Sequence, residues 1–371
     1  MTEHAAFLNA ILERPDDDLP RLVYADYLEE TGDAERAEFI RVQLELANSE
    51  EDAPNRPWLE TREEELLKVH GEWRLPIRGI QRFHRGFIES MATTADWLIG
   101  AGPVLRLAPV RELRVINADN AIAALAQVPG LERIETLDLR NNSFGTQDRL
   151  ARFFDAAPLR SLTNLVLGNN QLWSDDVEKL VASRWAPQLR SLDLSGNAIG
   201  DAGAGVLALA GSLRNLETLI LRSEGLDWRD RIQTDGAEVL GITRNLERLR
   251  SLDISGHLIG EAGASFLIDR VGLPALEEID ASHNRIDFAD SPDTEDLFEA
   301  RPRERLRVCT LSGSTVSLRA AAGFAGWTQL ETLDRLILER CEWAPGAREL
   351  LTASQWAYKI NLDNPTTGEL A

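Results

Sequence analysis

The sequence has little of what most catalytic and metal sites are built from. It holds two cysteines and five histidines, and no two histidines stand at the spacing of a helical metal site. Neither a glycine-rich phosphate loop nor a Gly-x-Ser-x-Gly elbow is present. We therefore expect no enzymatic activity, no cofactor and no metal site.

Positive charge is also scarce. The chain has 61 acidic against 40 basic residues, a net charge of −21, and this excess repels phosphate backbones and anionic lipid surfaces. No stretch approaches the roughly 20 apolar residues of a membrane span, and the first residues lack the basic and apolar segments of a signal peptide. We expect a cytoplasmic protein that binds neither nucleic acid nor membrane.

The chain does contain one sequence motif that recurs nine times, most clearly over residues 189–199. The first, fourth and sixth positions of every unit are apolar, and successive units start 24 to 33 residues apart. Such a period predicts a solenoid. The units begin at Val110, Ile134, Leu162, Leu189, Leu216, Leu249, Leu276, Leu306 and Leu333.

Each unit predicts a short strand, a turn and a helix. Alternate apolar residues at positions four and six point to one face of a strand. The ninth position is Asn in four units, where its amide can bond the backbone of the turn; in the others the turn needs different partners. In the fourth unit we expect Asp201 to cap the following helix and Leu207 to face the core. The fold class is α/β.

At this length the repeats resemble the ribonuclease-inhibitor-like leucine-rich-repeat proteins. The resemblance implies a horseshoe with parallel strands on its concave side and helices on its convex side. We assign residues 106–371 to this domain, with about nine repeats and a degenerate C-terminal cap over residues 357–365. Residues 76–105 are expected to form its N-terminal cap, with a strand over residues 85–91.

Residues 1–48 differ from the repeats and contain three helical stretches, separated by the acidic run before Pro20 and by Gly32 and Asp33. The phrases at residues 19–33 and 36–43 resemble the bacterial repeat-companion domain, which is found at the N-terminus of bacterial leucine-rich-repeat proteins. The resemblance implies a bacterial origin and a small all-α module, and it carries no known activity. Residues 49–75 are expected to be a linker followed by a packing helix.

Three residues that could carry chemistry stand at structural positions of the repeat. Cys309 is at position four and Cys341 at position nine, so both replace ordinary repeat residues and are expected to be reduced. His257 is also at position nine, and a turn residue is favoured there over a general base.

Outward positions of the strands offer a candidate binding surface roughly 40 Å long at about 4.8 Å per strand, which suits a protein partner better than a small-molecule substrate. Asp138, Asp193, Asp253 and Asp280 share position five; Arg140 and Arg222 share position seven. Because Leu-Asp-Leu-Ser is the commonest filler in this repeat family, the family-filler interpretation of the aspartates is favoured over a binding role. Removal of Asp193 is expected to cost no stability, since it relieves repulsion within the row.

The unit at Leu216 is 33 residues long, and its extra residues fall at the rim, where Trp228, Arg229 and Arg231 are candidates for partner contact. The alternative is a self-packed loop in which Trp228 covers the neighbouring helix.

We therefore expect a protein–protein interaction scaffold or adaptor. Two alternatives stay open. One is a regulator that resembles the Ran GTPase-activating proteins and acts on a small GTPase; the other is a sensor in a bacterial defence or host-contact system.

Overall fold

The structure is a computed structural model that describes residues 3–145, 149–223, 225–268, 272–288, 297–298 and 302–362. Its contacts divide the chain into two compact units, Met1–Leu139 with Ala156–Leu162 and Arg140–Asp155 with Thr163–Ala371. The predicted domain boundaries at residues 48, 75 and 105 all fall inside the first unit, and they stay predictions.

The first unit begins with four helices: α1 (Glu3–Glu13), α2 (Leu19–Glu30), α3 (Ala34–Asn48) and α4 (Arg56–Val69). The three helical stretches predicted before residue 48 are confirmed. Asp33 caps α3 as predicted, since its carboxylate accepts a hydrogen bond from the Arg36 amide at 3.3 Å. The remaining elements are β1 (Ile80–His84), β2 (Phe87–Thr94), α5 (Ala95–Gly100), β3 (Glu112–Ile116), α6 (Ile122–Leu125) and β4 (Thr136–Asp138), with strand order β1-β2-β3-β4.

The strand predicted over residues 85–91 is confirmed from Phe87 onwards as part of β2, but its first two residues form a turn, because the chain reverses there. β1 and β2 form an antiparallel hairpin in which His84 pairs with Phe87. The two residues between them, Arg85 and Gly86, have φ values of 49° and 88°, which is the left-handed backbone of a tight two-residue turn. The alternation that predicted a strand is real, but its first two residues belong to the turn.

Two arginines of the helical segment bind this hairpin. Arg21 is fully buried and its guanidinium lies 2.6 Å from the Glu89 carboxylate. The guanidinium of Arg36 lies 4.9 Å from the Trp73 ring centre and donates a hydrogen bond to the Gly86 carbonyl at 2.6 Å. Burial lowers the pKa of Arg36 to about 10, so it stays charged at neutral pH. The helices and the hairpin therefore belong to one packed unit.

The second unit repeats strand, turn and helix. Its main sheet contains β5 (Asn164–Val166), β6 (Ser191–Asp193), β7 (Thr218–Ile220), β8 (Ser251–Asp253), β9 (Glu278–Asp280), β11 (Val308–Thr310), β13 (Arg335–Leu338) and β15 (Ile360–Leu362), in that order. The helices are α7 (Arg149–Ala156), α8 (Ser174–Ala182), α9 (Gly200–Leu209), α10 (Thr234–Ile242), α11 (Gly260–Ile268), α12 (Leu318–Gly326) and α13 (Ala347–Thr352).

Neighbouring strands of this sheet pair in parallel, as predicted, with Leu165, Leu192 and Leu219 in register. Leucines at positions four and six are buried throughout; Leu192 and Leu194 are 0% and 1% exposed. The predicted C-terminal cap spans residues 357–365. Its described part includes β15, which pairs in parallel with β13, and residues 363–365 lie outside the described residues.

A second, smaller sheet was not predicted. It consists of β10 (Asp287–Phe288), β12 (Thr315–Val316) and β14 (Glu342–Trp343), which pair in parallel just after the turns of three units. Phe288 and Val316 are completely buried. Two-residue strands leave no periodic pattern in a sequence, so only the stacking of the repeats reveals them.

Position-nine asparagines bridge consecutive repeats. The Nδ2 group of Asn197 donates to the Leu167 carbonyl of the preceding repeat at 2.9 Å and to the Leu194 carbonyl of its own at 2.8 Å. Its Oδ1 atom accepts from the amides of Asn170 and Leu172 at 2.9 and 3.1 Å. One buried amide thus satisfies four backbone groups that would otherwise be costly to bury.

His257 performs the same function in its repeat, which confirms that it is a turn residue. Its Nδ1 atom accepts from the Ile232 amide at 3.0 Å, and its Nε2–H donates to the Leu221 carbonyl at 2.8 Å. Ile232 is the counterpart of Leu172 in the long unit: it stands six residues later in its unit, and the long unit has six extra residues before it. The larger imidazole therefore reaches the same backbone amide beside the insertion.

The predicted role of Asp201 is wrong in one respect. Helix α9 starts at Gly200, and the Asp201 carboxylate accepts from the amides of Gln233 and Gly236 at 2.7 and 3.1 Å. These amides open α10, so Asp201 caps the helix of the next repeat. Leu207 is completely buried, as predicted.

We predict that Leu194→Ala lowers the free energy of unfolding by about 2–5 kcal/mol, because it leaves a cavity in the core. Leu209→Ala is the matched control, since Leu209 is 74% exposed at the end of α9 and its loss should change stability by less than about 0.5 kcal/mol. Urea unfolding followed by circular dichroism measures both. Equal losses for the two variants would contradict the assignment of the core.

We also predict a pH dependence that belongs to His257. Burial lowers the pKa of His257 from 6.5 to about 4, so between these values the unfolded chain binds a proton that the folded chain does not. Stability therefore falls as the pH falls through this window. His257→Asn restores the usual amide without a titrating group, so the difference in unfolding free energy, wild type minus variant, should decrease by roughly 2 kcal/mol from pH 7 to pH 5. A difference that stays constant would contradict a buried neutral imidazole.

Candidate protein-binding surface

The open face of the second unit, meaning the outward-pointing residues of its main sheet, is the candidate binding surface. From β5 to β13, position five contributes one half-buried side chain per strand, in register across the sheet. From β5 to β13 these are Val166, Asp193, Ile220, Asp253, Asp280, Thr310 and Ile337. Apolar and acidic side chains are therefore interspersed on one face.

The three aspartates of this row each bond a serine two residues later. The Oδ1 atom of Asp253 accepts from the amide of Ser255 at 3.0 Å and from its hydroxyl at 2.6 Å. Asp193 and Asp280 receive the same pair of hydrogen bonds from Ser195 and Ser282. Such local bonds fix the backbone where the strand ends. One carboxylate oxygen of each aspartate thus has a structural role at the end of its strand. For that oxygen, the family-filler interpretation is favoured over partner binding.

Arg222 carries the opposite charge on the same face. Its guanidinium lies 2.8 Å from the second carboxylate oxygen of Asp253, and the arginine side chain is 50% exposed. Because an exposed ion pair contributes little to stability, this contact can be exchanged for a contact with a partner at small cost.

A shallow cavity of about 300 Å³ brings three predicted site residues together: Arg140, Asp193 and Arg222. Arg140 and Arg222 hold position seven in the second and fifth units, while Gly168 and Ser195 hold it in the units between them. The cavity exists because these two small residues separate two long arginines. Ile220 adds an apolar wall. Because the cavity is shallow, it can accept a polar group of a protein partner but cannot enclose a small molecule.

Asp138 lies in the first unit, where its carboxylate is 3.7 Å from the Arg114 guanidinium. The two residues line another shallow cavity, of about 250 Å³, together with Arg82 and Glu112. Arg82 and Arg114 are not among the predicted site residues. Arg114 stands at position five of the first unit and so belongs to the predicted outward row; Arg82 belongs to the unpredicted strand β1.

The rim loop of the long unit lies between β7 and α10, as predicted. Trp228 is 57% exposed, and the Arg229 guanidinium lies 5.3 Å from its ring centre. Arg231 donates a hydrogen bond from Nε to the Leu226 carbonyl at 3.1 Å. The contacts of Arg229 and Arg231 lie within the loop, as the self-packed alternative expects, while Trp228 is exposed enough to meet a partner. Both interpretations of the loop stay predictions.

The two cysteines are free thiols, and burial raises the pKa of Cys309 to about 12. Among the described residues, no group of three or more His, Cys, Asp or Glu side chains is placed to hold a metal ion. Within the same residues, no helix is long and apolar enough to span a membrane.

Comparison with known proteins agrees with this geometry. The family described as Leucine Rich repeat matches residues 187–208, which include β6 and most of α9. The second unit is a leucine-rich-repeat solenoid. No curated protein matches the sequence of the chain.

Several solved structures are similar at low sequence identity. An internalin, InlF from Listeria monocytogenes, is 19% identical with a TM-score of 0.43 over 70% of this chain and 68% of the internalin chain. A Bacteroides fragilis protein is 11% identical with a TM-score of 0.43 over 86% of each chain. TLR13 in complex with ssRNA13 is 16% identical with a TM-score of 0.44 over 73% of this chain. This chain spans 37% of the TLR13 chain.

The serine contacts change the expectation for Asp193. We predict that Asp193→Ala lowers the free energy of unfolding by about 1 kcal/mol, because Ser195 loses an acceptor for its amide and its hydroxyl. Asp193→Asn keeps an acceptor oxygen and should lose less than half as much. Urea unfolding of both variants measures the difference. An equal loss for Ala and Asn would show that the charge, rather than the acceptor, stabilises the turn.

Proposed function

We propose that this protein is a non-enzymatic scaffold or adaptor that binds another protein on the open face of its second unit. The observation that supports this proposal most directly is the regular row of half-buried side chains at position five. Eight strands about 4.8 Å apart give a face about 34 Å long, which is the scale of a protein–protein contact.

The chemistry of the face agrees with this proposal. Apolar side chains such as Ile220 stand between aspartates, and Arg222 is near enough to bond one of them. Protein interfaces combine apolar contacts with a limited number of charged hydrogen bonds. The net charge of −21 favours a partner with a basic contact surface. We propose that Asp193, Asp253, Asp280, Arg140 and Arg222 contact it, with Trp228, Arg229 and Arg231 at the rim. Asp138, in the first unit, is proposed as a binding residue of that unit alone.

The GTPase-regulator and defence-sensor alternatives remain hypotheses, since no contact or charge described above favours either. Nucleic acid is disfavoured by the charge of the chain, and it is an explicit outcome of the test below.

We predict that Ile220→Arg abolishes capture of the partner. Ile220 stands between Asp193 and Asp253 in the sheet, so an arginine there is compensated in charge but projects from the centre of the face. The matched control is Leu209→Arg, which adds the same side chain at the end of α9, where Leu209 is 74% exposed. Both purified variants should melt within a few degrees of wild type. Tagged proteins incubated with lysate of the source organism, with and without nuclease, are compared by quantitative mass spectrometry.

The expected result is one or more proteins enriched by wild type and by Leu209→Arg and lost with Ile220→Arg, independently of nuclease. Enrichment retained by Ile220→Arg would place the partner elsewhere on the chain. Enrichment that disappears after nuclease treatment would point to nucleic acid and overturn the proposal.

A further inference from the structure

The cavity of about 300 Å³ on the open face differs in charge from the row of aspartates beside it. Two guanidiniums line it, those of Arg140 and Arg222, against a single carboxylate, that of Asp193. By contrast, every charged residue at position five from β5 to β13 is an aspartate. Positive charge therefore exceeds negative charge inside this cavity, which we call the arginine cavity.

The stacking of the repeats sets the distance between the two arginines. Amides at position eight donate to the position-seven carbonyls of the next repeat at 2.7 to 2.9 Å, so the chain segments stay adjacent from Arg140 to Arg222. Three steps of about 4.8 Å, or about 14 Å, separate the two residues along the face. Gly168 and Ser195 hold position seven between them. The two long side chains thus stand at opposite ends of a floor of two small residues.

Gly168 leaves the space above this floor open. A Cβ atom added there would lie 3.4 Å from the Ser195 carbonyl oxygen and 3.8 Å from Oδ1 of Asp193, which are ordinary van der Waals distances. Gly168 does not have a left-handed backbone, so its conformation does not require glycine. A larger side chain would therefore fit the fold and fill the cavity. Because hydrogen bonds between repeats hold the floor, a ligand meets a preformed site.

The groups that line the cavity can bind an oxyanion. Arg222 donates from Nε and Nη2 to one oxygen of Asp253, at 3.2 and 2.8 Å, and a guanidinium has five N–H donors, so one ion pair does not exhaust it. Oδ1 of Asp193 accepts from the amide and the hydroxyl of Ser195, which offsets part of its charge. Hydrogen bonds from guanidinium to an oxyanion are about twice as strong as those between neutral groups.

The charge of the chain selects which oxyanion enters. A phosphate monoester carries a charge of about −1.5 to −2 at neutral pH, and both Asp193 and the net charge of −21 oppose it. A carboxylate carries one negative charge, so it meets less repulsion while it keeps the same geometry of hydrogen bonding to guanidinium. A side-chain carboxylate is therefore favoured over a phosphate.

The apolar wall of the cavity adds a second requirement. Ile220 lines the cavity at position five, two residues before Arg222 on the same face of its strand. In an extended ligand, side chains two residues apart also share a face and lie about 7 Å from each other. A ligand that fits both groups has an apolar side chain two residues away from its acidic one.

We propose that the arginine cavity binds the carboxylate of an aspartate or glutamate side chain in an extended segment of the protein partner. The proposal rests on the proposed function, in that the carboxylate belongs to that partner, and it names the group recognised at this place on the open face. Arg140 and Arg222 donate hydrogen bonds to the carboxylate, and the apolar side chain packs on Ile220. The aspartates outside the cavity receive basic groups of the same partner.

The test uses the full chain and the heptapeptide acetyl-Thr-Val-Thr-Glu-Thr-Val-Thr-amide, which has a valine two residues from the glutamate in either chain direction. Binding is followed by the NMR shifts of the Asn169 and Gly196 amides, because both residues line the cavity. The glutamate peptide should bind at least about tenfold more tightly than the same peptide with glutamine, the scale of one hydrogen bond to a charged group. Peptides with lysine or phosphoserine at the central position should also bind more weakly.

Two variants remove the site in different ways, each with a matched control. Arg140→Gln should weaken binding of the glutamate peptide about tenfold, whereas Arg250→Gln makes the same change of charge at an exposed arginine outside the cavity and should bind as wild type does. Gly168→Met should abolish binding by filling the cavity. Gly205→Met adds the same side chain in α9, where a Cβ meets nothing within 4 Å, and should have no effect. Melting temperatures of all four variants confirm folding.

Asp193→Asn tests the sign of the ligand. It keeps an acceptor for Ser195 and removes a negative charge from the cavity, so the glutamate peptide should bind about threefold more tightly. Weaker binding by Asp193→Asn, or tighter binding of the lysine peptide to wild type, would mean that the cavity takes a cation and would overturn the proposal. Tighter binding of the phosphoserine peptide would overturn the choice of a carboxylate. Equal weakening by Arg140→Gln and Arg250→Gln would reduce the interaction to the overall charge of the chain.

Capture from lysate separates this proposal from the proposed function. A protein that is lost with Ile220→Arg, together with no preference of wild type for the glutamate peptide, would reject the carboxylate site and leave the scaffold proposal standing. Glutamate-dependent binding of the peptide, abolished by Gly168→Met, with no protein captured by wild type, would support the carboxylate site and count against the scaffold.

Discussion

The stacking of repeats in the second unit depends on hydrogen bonds that a single position-nine side chain makes to the backbone of two consecutive repeats. Burying leucines at positions four and six drives the strands together, but it also buries the backbone of the turns beside them. Asn197 resolves this conflict by bonding backbone groups of two repeats at once. Because unsatisfied buried groups cost about 1–3 kcal/mol each, the register of the strands depends on these bridges as much as on the leucines. The strands that form the open face stay in register as a result.

Much of the fold could be predicted because its causes are local and periodic. The core positions, the parallel strands and the first three helices follow from apolar spacing and from turn residues such as Asp33. Contacts between repeats could not be predicted in this way. Asp201 caps the helix of the following repeat, and His257 replaces an asparagine beside the insertion. Both depend on which backbone groups the stacking brings within reach. The hairpin at Arg85 and Gly86 was missed because its turn residues continue the alternation of the strand.

The candidate site shows the same division. Positions five and seven placed Asp193, Arg140 and Arg222 on one face, and the structure brings them around one cavity. The aspartates and the serines two residues later recur together in the sequence, so a bond between them could have been predicted. That these hydrogen bonds fix the backbone at the end of the strand is visible only in the geometry of the turn.

Native-state hydrogen exchange of two turn amides, those of Leu172 and Ile232, tests most directly whether the position-nine side chains bind one repeat to the next. They are bound by the side chains of Asn197 and His257 at 3.1 and 3.0 Å. If these bridges hold the repeats in register, both amides should exchange as slowly as the amides of the neighbouring strands β6 and β7, with opening free energies near that of global unfolding. Exchange at the rate of an open surface loop, with the strands still protected, would contradict the claim that the bridges bind one repeat to the next.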